Sequence, residues 1–466
     1  MVTSVDDTAD VSQSVINFQV DLSGINRKRP ALTSYATTGL GSSVLIGLYV
    51  WQTWLIGVTQ DRKLWAMSQT APTVWQALSD ATAATKLDGG LRPVFAEDGL
   101  RVVIVGGGAI QQWQGVGLSS RLGGGPAATH IAAIGARFVA NNTSASQEFD
   151  WSNIGDGSHA TWDALAFSNA DARPDPVVGI FENLRELHVF GSSTDQIYSV
   201  GSDPLNPFDF VAATNVGLAA PYSVVRLDQA FAFLDDKRRF VISDGRTETF
   251  ISHQLDKDLR QLATVSDCWG YREDFEQFAN IVWTFPVGGK TYVFDTAKST
   301  WSERRYYSNP FQLNMPQGCH VFWPALNLHL IGSTTAADVL YRLSSASRDD
   351  LGGPMVCERY TGWQDCGTLG YKRDGWLDVT VRRGTVPLGS IESALEVRCR
   401  DDGGPWSDFE FIRLGQPGDS DQQIRIRLGG CFYRRQYHFR YSGTDDFALV
   451  SAEQDFQDLD AEEEAA

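Results

Sequence analysis

Short apolar runs recur along the first three quarters of the chain, each closed by a turn and followed by a second run that carries an aromatic residue. Runs of this length between Gly, Asp and Asn turns are typical of β-strands. We therefore predict seven units, each with at least one pair of antiparallel strands. The paired runs lie at 53–57 and 64–65, 102–106 and 110–113, 137–140 and 149–151, 187–191 and 197–198, 230–234 and 240–242, 280–285 and 291–294, and 328–332 and 339–341.

Two pairs of segments in this part of the chain have closely similar sequences. The sequence LHVFGSST at 187–194 matches LHLIGSTT at 328–335, and TVWQAL at 73–78 matches ATWDAL at 160–165. Repeated strand units of this spacing indicate a β-propeller. A single small sheet cannot bury both faces, whereas sheets stacked radially in a ring can. The prediction is an all-β chain with a β-propeller of about seven blades at 41–346, with six or eight blades as alternatives.

A second all-β region follows a linker at 347–354. Its apolar and polar residues alternate strictly, which is typical of half-buried antiparallel strands with one face inward and one face wet. Several such strands within about a hundred residues predict an additional C-terminal antiparallel β-sandwich-like domain at 355–452. The alternating stretches lie at 377–381, 395–399, 424–428 and 437–441.

The two ends of the chain are more polar. Residues 1–40 are predicted to form an extended N-terminal arm, ordered only against the body or a neighbour. The basic cluster Arg27, Lys28 and Arg29 within it is interpreted as a solvated turn in preference to a nucleic-acid contact. Residues 453–466 carry many carboxylates and are predicted to form an acidic disordered tail.

The charge balance narrows the classes of function. The formal net charge is −18, and an acidic chain lacks the clustered Lys and Arg that bind phosphate backbones. The six cysteines form no Cys-x-x-Cys pair, which predicts buried thiols and no metal site. The start of the chain lacks the basic and apolar regions of a secretory signal. The apolar stretch 43–58 is too short to span a membrane and is predicted to form two strands.

No catalytic motif is visible, and we predict neither catalytic, cofactor-binding nor metal-binding residues, nor any cofactor. A glycosidase needs two carboxyls that face each other across a pocket, and no motif singles out such a pair. The Asp-Asp-Gly-Gly-Pro-Trp stretch at 401–406 is interpreted as a turn between strands, and the glycine triplets at 106–108 and 123–125 as loops. His188 and His329 occupy equivalent strands and are interpreted as repeat positions. The chain is therefore not predicted to be an enzyme.

Two sets of side chains carry expectations about surfaces and core. The aromatic residues of the strands are expected in the core, and those named for it are Trp65, Trp113, Trp151, Trp162, Tyr198 and Tyr341. The solvent-exposed strand faces of the predicted sandwich-like domain are rich in arginine. This indicates either a solvated face with local carboxylates or a docking face for an acidic neighbour. These residues are Arg398, Arg400, Arg425, Arg427, Arg434, Arg435 and Arg440. Arg425 and Arg427 have no acidic residue two positions away, so we expect them at an interface.

A set of motifs between residues 149 and 260 resembles a known family. In order they are Trp-Ser-x-Ile-Gly-Asp at 151–156, Thr-Trp-Asp-Ala-Leu-x-Phe at 161–167, Phe-Gly-Ser-Ser-Thr at 190–194 and Gly-Leu-Ala-Ala-Pro-Tyr-Ser-Val at 217–224. This order is similar to that of the tail nozzle family of short-tailed bacteriophages (podovirus type). Members of that family are also called packaged-DNA stabilisation proteins or tail accessory factors.

The resemblance implies a structural virion protein at the tail tip, assembled in the host cytoplasm. Such a nozzle, or tail hub, is a homo-hexamer whose six-fold ring lies below the portal and its adaptor. It extends the DNA channel, helps retain packaged DNA and docks tail fibres or spikes and a plug or needle. Double-stranded DNA passes through it without specific binding, and no small-molecule substrate is expected. The alternatives are a receptor- or carbohydrate-binding propeller of the tail and, less favoured, a propeller glycosidase.

Overall fold

The computed structural model describes residues 2–4, 14–154, 162–170, 173, 175–308, 311–383, 394–414 and 421–459. Within these residues the regular secondary structure is almost all strand, with one α-helix at Asp256–Gln261 and three short 3-10 helices at Ala83–Thr85, His253–Leu255 and Pro324–Leu326. The all-β prediction is confirmed. Parts of the 151–156 and 161–167 motifs, and residues 460–466 of the predicted tail, lie outside the described residues.

Seven units of four antiparallel strands follow one another, and each is named a blade in chain order. Blade 1 consists of Leu45–Trp51, Trp54–Thr59, Leu64–Ser68 and Trp75–Ala77. Blade 2 consists of Val94–Glu97, Val102–Val105, Gln111–Trp113 and Ser120–Arg121. Blade 3 consists of Ile131–Ile134, Arg137–Asn141, Glu148–Ser152 and Trp162–Asn169. Blades 4 and 5 consist of Val177–Asn183, Glu186–Gly191, Asp195–Val200 and Phe208–Thr214; and Val225–Arg226, Phe231–Leu234, Phe240–Ser243 and Glu248–Phe250.

Blade 6 consists of Trp269–Phe275, Phe278–Phe285, Lys290–Asp295 and Thr300–Glu303. Blade 7 takes three strands from Gln317–Trp323, Leu328–Ser333 and Val339–Ser344, and its fourth strand is Ala31–Ala36 from the start of the chain. In every blade the two runs predicted from the sequence fall on the second and third strands. Those middle strands have neighbours on both sides, which is why their apolar pattern is the strongest.

The propeller core lies between the blades. Each neighbouring pair shares a buried apolar cluster; for example, Leu55 of blade 1 packs with Trp323 of blade 7, and Ile56 of blade 1 packs with Ile104 of blade 2. Trp113, Trp151, Tyr198 and Tyr341 are buried as expected, whereas Trp65 and Trp162 are only partly buried. Burial between blades explains the aromatic repeat, because large rings fill the widening space between radially arranged sheets.

The second region is a β-sandwich, as predicted, but its two sheets also use strands from the start of the chain. One sheet continues blade 6 outward, in the order Thr300–Glu303, Ser14–Ile16, Cys357–Tyr360, Arg435–Tyr441, Ala394–Asp401 and Glu410–Arg413. The other has the order Phe18–Val20, Asn26–Lys28, Phe447–Asp458, Lys372–Arg383 and Gln422–Ile426, with Val2–Ser4 and Cys431–Phe432 at its margins. Three small two-stranded sheets pair Gly108–Ala109 with Ala127–Ala128, Tyr306–Ser308 with Phe311–Leu313, and Asp349–Asp350 with Gly353–Pro354.

These pairings change the predicted boundaries. Within the arm predicted at 1–40, residues 14–36 are integrated: they supply strands to both sandwich sheets and close blade 7. The acidic tail prediction is wrong for 453–458, because the strand Phe447–Asp458 runs through these residues and pairs with Lys372–Arg383. Both boundary predictions failed for the same reason. A polar segment can form an ordered strand when strands from distant parts of the chain satisfy its backbone hydrogen bonds.

The predicted solvated turn at 27–29 is wrong for two of its three residues. Lys28 is buried, and its Nζ donates to the carbonyl oxygens of Gly443 and Arg348, each at 2.7 Å. Arg29 is also buried and forms an ion pair with Asp350, whose carboxylate accepts a further hydrogen bond from the Leu32 backbone at 2.9 Å. The cluster thus joins the sandwich to the propeller instead of facing water.

We predict that Asp350→Asn lowers the free energy of unfolding by about 3–5 kcal/mol, because Arg29 would remain buried without its counter-ion. The measurement is urea unfolding followed by tryptophan fluorescence. Asp421→Asn is the matched control, since Asp421 pairs with Arg382 on the surface. We expect an unchanged midpoint for that control. An equal free energy of unfolding for the two variants would show that the Arg29–Asp350 pair does not stabilise the joint between propeller and sandwich.

Candidate functional site

The first strands of the blades, or the turns that lead into them, meet at the axis of the propeller and enclose a cavity of about 460 Å³. All seven blades contribute to this axial cavity. Its wall is mostly apolar and aromatic, and among the described residues no Asp or Glu lines it. The contributing residues lie at 46–49, 92–95, 130, 179–181, 190, 221–222, 224, 226, 269–271 and 319–320. No sequence argument predicted a site here, because these parts of the wall are far apart in the chain.

Glycine permits the close approach of neighbouring first strands. A Cβ on Gly47 would lie 2.1 Å from Cγ of Pro93 in the turn that leads into blade 2. A Cβ on Gly270 would lie 2.6 Å from Cγ2 of Val225 in blade 5. Both contacts are far inside van der Waals distance, so a larger residue would push the blades apart. These glycines therefore set the width of the axial cavity.

Arg92 is the cation of this wall that has no carboxylate partner among the described residues. One of its Nη atoms donates to the carbonyl oxygen of Gly318 at 2.7 Å, and its guanidinium lies 4.3 Å from the centre of the Trp269 ring. Burial lowers the pKa of Arg92, yet an arginine stays protonated. Arg226, the other arginine of the wall, pairs with Glu182.

Two histidines, the buried His130 and the partly buried His320, line the same cavity in their neutral form. His130 Nε2 lies 3.0 Å from the Pro221 carbonyl oxygen, and since a carbonyl only accepts, this nitrogen carries the proton. The other ring nitrogen of His130 therefore accepts from the Thr129 hydroxyl at 3.0 Å. Burial lowers the pKa of His130 from 6.5 to about 4. Its ring stacks on that of Tyr222.

His320 is fixed in the same way through a second histidine. His329 Nε2 donates to the Asp274 carbonyl oxygen at 2.9 Å, so His329 Nδ1 must accept from His320 Nε2 at 3.1 Å. Burial lowers the pKa of His320 to about 3, and its ring stacks on Tyr271. The predicted repeat positions His188 and His329 are both on second strands; His188 bonds Asp195 at 2.7 Å. Within the described part of the chain, no group of three or more His, Cys, Asp or Glu side chains could hold a metal ion.

The arginines of the sandwich divide into three groups. Arg435 is buried between Asp374 and Asp401, so its prediction as a wet-face residue is wrong. Arg425 pairs with Asp378 directly across the sheet, with both N–O distances at 2.7 Å. The absence of an acidic residue two positions away therefore did not reveal this partner, which lies on the neighbouring strand, and the interface expected for Arg425 stays a prediction. Arg427 lies 5.7 Å from the ring centre of Trp376.

The remaining arginines alternate with aromatic rings on the outer face of one sandwich sheet. This Arg/aromatic ladder consists of Arg434, Trp363, Arg400, Trp406, Arg398, Phe409 and Arg440, with guanidinium-to-ring distances of 4.2–5.1 Å. Arg440 pairs with Glu396, but among the described residues no carboxylate pairs with Arg398, Arg400 or Arg434. Stacking holds these cations in place. Part of the donor edge is already used, because Arg398 Nε donates to His438 Nδ1 at 3.0 Å and Arg400 Nε donates to Gln436 Oε1 at 2.6 Å. Arg434 is exposed.

Residues 84–312, just under half of the chain, match a family model described as "Bacteriophage P22 Gp10, beta-propeller". This range contains the motifs at 151–224 that carried the resemblance. The match supports a phage tail stabilisation family, a structural role in a phage tail and a place in the virion. Among curated proteins none matches the chain. No helix among the described residues is long and apolar enough to cross a membrane.

Three solved structures are similar to the chain. The WD40 β-propeller domain of Doa1 is 8% identical with a TM-score of 0.40, covering 68% of this chain and 97% of that one. The computationally designed Ika8 protein is 12% identical with a TM-score of 0.37, covering 66% and 98%. YCF48 bound to a D1 peptide is 10% identical with a TM-score of 0.40, covering 68% and 98%.

We predict that His130 makes stability depend on pH. Its folded pKa of about 4 lies below the unfolded value of 6.5, so the unfolded chain binds the proton first as the pH falls. Stability is therefore full above pH 6.5 and is lost towards pH 4, by about 2 kcal/mol per such histidine between about pH 7 and 5. In urea unfolding at both pH values, His130→Gln should lose less stability than wild type. The exposed His253→Gln is the control; a wild-type pH dependence in His130→Gln would contradict the prediction.

Proposed function

We propose that this chain is the tail nozzle subunit of a short-tailed bacteriophage. Six copies form a ring below the portal and its adaptor, extend the DNA channel, help to retain packaged DNA and dock tail fibres or spikes and a plug. The observation that carries the proposal is the match of residues 84–312 to the Gp10 β-propeller model. The proposed role is structural and not catalytic.

The joint between propeller and sandwich supports this role. One continuous sheet runs from blade 6 into the sandwich through the strand Ser14–Ile16. Asn17 ties the joint further: its side chain donates to the carbonyls of Arg305 and Val356 and accepts from Arg29. A subunit at the exit of a pressurised capsid must transmit force without hinging, and a shared sheet with buried polar bonds resists hinging.

Exposed surfaces offer contacts for assembly. Leu165 and Phe167 are exposed on the outer strand of blade 3, and Phe210 and Val211 on the outer strand of blade 4. Exposed apolar residues on edge strands support contact with other chains. The Arg/aromatic ladder supports a second contact, to an acidic partner such as an adaptor or a neighbouring copy.

The acidic charge of the chain supports passage of DNA without binding. Each copy carries a formal charge of −18, so a ring of copies repels phosphate groups near its wall, although salt screens this field beyond about 8–10 Å. A basic wall would instead hold the duplex at many points and slow its exit. Retention of the genome then requires a mechanical gate formed by loops or by a plug protein.

The six-fold ring is the most direct test. We expect the purified chain, alone or with its adaptor, to give rings with six-fold symmetry in negative-stain electron microscopy, and a mass of six copies by native mass spectrometry. A chain that stays monomeric with its adaptor, or that forms a ring of another symmetry, would overturn the nozzle proposal.

Charge reversal in the ladder tests the docking surface. We expect Arg434→Glu to reduce incorporation into tails, because it removes an exposed cation stacked 4.7 Å from Trp363. Folding should be unaffected, since exposed charges contribute little to stability. The control is Arg185→Glu, which makes the same charge change at an exposed turn between the first and second strands of blade 4. The measurement is the amount of each variant incorporated into phage tails in infected cells. Equal incorporation of the two variants would show that the Arg/aromatic ladder is not a docking surface.

A further inference from the structure

The axial cavity holds a cation that the described residues do not neutralise. Among them Arg92 makes one hydrogen bond, to the Gly318 carbonyl oxygen, although a guanidinium has five N–H donors. None of the described residues that line the cavity is Asp or Glu. A half-buried cation in a mostly apolar wall without a counter-ion favours an anionic partner.

A second donor lies on the same wall. The Nε1–H of Trp269 is buried and has no hydrogen-bond partner among the described residues. Its ring is the one on which Arg92 stacks, so the two donors belong to one rigid unit. Buried donors are normally paired, and an unpaired one needs an explanation. The Trp269 nitrogen is itself shielded from solvent, so the donor open to the cavity is the Arg92 guanidinium.

The remaining wall limits what that acceptor can be. Both histidines are held neutral with their Nε2 protons committed to protein acceptors, so they add no charge. Tyr49 and Phe95 stack face to face across blades 1 and 2, and Phe181 continues the aromatic wall. An inorganic anion would leave this apolar surface unused, whereas a flat apolar group would cover it.

We propose that the axial cavity binds a small organic monoanion, with its carboxylate on Arg92 and a flat apolar body against the aromatic wall. A volume of about 460 Å³ suits such a ligand, since small-molecule sites span roughly 300–1,000 Å³ with a few polar groups in an apolar lining. The guanidinium edge matches a carboxylate in a bidentate pair. This site is independent of the nozzle proposal.

The probe is 2-naphthoate, titrated into the purified full-length protein by isothermal calorimetry at about 150 mM salt. The uncharged 2-naphthalenemethanol has the same rings and is titrated in parallel. We expect saturable one-to-one binding of the naphthoate with a Kd below about 1 mM. The alcohol should bind at least about tenfold more weakly, because it lacks the charge-assisted pair with Arg92.

Variants assign the binding to the site. Arg92→Met should weaken naphthoate binding by about tenfold or more. Trp269→Phe keeps the stacking ring and should bind nearly as wild type does. Arg185→Met, at an exposed turn, should bind as wild type does. Equal affinity of wild type for acid and alcohol, no saturable binding, or full binding by Arg92→Met would each overturn the proposal. The wild-type comparison decides the question even if Arg92→Met does not fold.

Discussion

The closed shape of this protein depends on the buried node around Arg29, Asp350 and Asn17. Propeller closure requires the strand Ala31–Ala36 to complete blade 7, and Asp350 holds both that strand, at the Leu32 backbone, and the side chain of Arg29. Asn17 then links Arg29 to the edge of blade 6 and to the sandwich. Since Arg29, Asp350 and Asn17 are themselves buried, their hydrogen bonds favour one arrangement of the joined parts.

Convergence of seven blades at one axis has consequences of its own. First strands come so close that Gly47 and Gly270 have no room for a side chain. Polar groups that face the axis must find partners among neighbours, and His130 and His320 do so through carbonyls and a second histidine. Arg92 and the Trp269 indole do not find full partners within the described chain. The cavity therefore combines a rigid aromatic wall with unused donors.

Arginine has three different roles in the sandwich, and its position on the sheet decides which. Arg435 has the same strand parity as Tyr437 and so turns inward, where two aspartates neutralise it. Arg425 faces outward but meets Asp378 across the sheet. Arg398, Arg400 and Arg434 have no carboxylate partner among the described residues and stack on Trp363, Trp406 and Phe409 instead. This last group offers an acidic partner a row of cations.

The sequence alone determined the all-β class, the propeller and the middle strands of every blade, because those strands are buried on both faces and their apolar runs are local signals. It also determined the alternating strands of the sandwich and the burial of residues such as Trp151. Only the tertiary structure decided that the segment 14–36 closes blade 7 and joins the sandwich. It also decided that Lys28 and Arg29 are buried and that Asp378 forms an ion pair with Arg425. It alone assembled the axial cavity. These features rest on pairing between segments hundreds of residues apart, and no local pattern of polar and apolar residues encodes such partners.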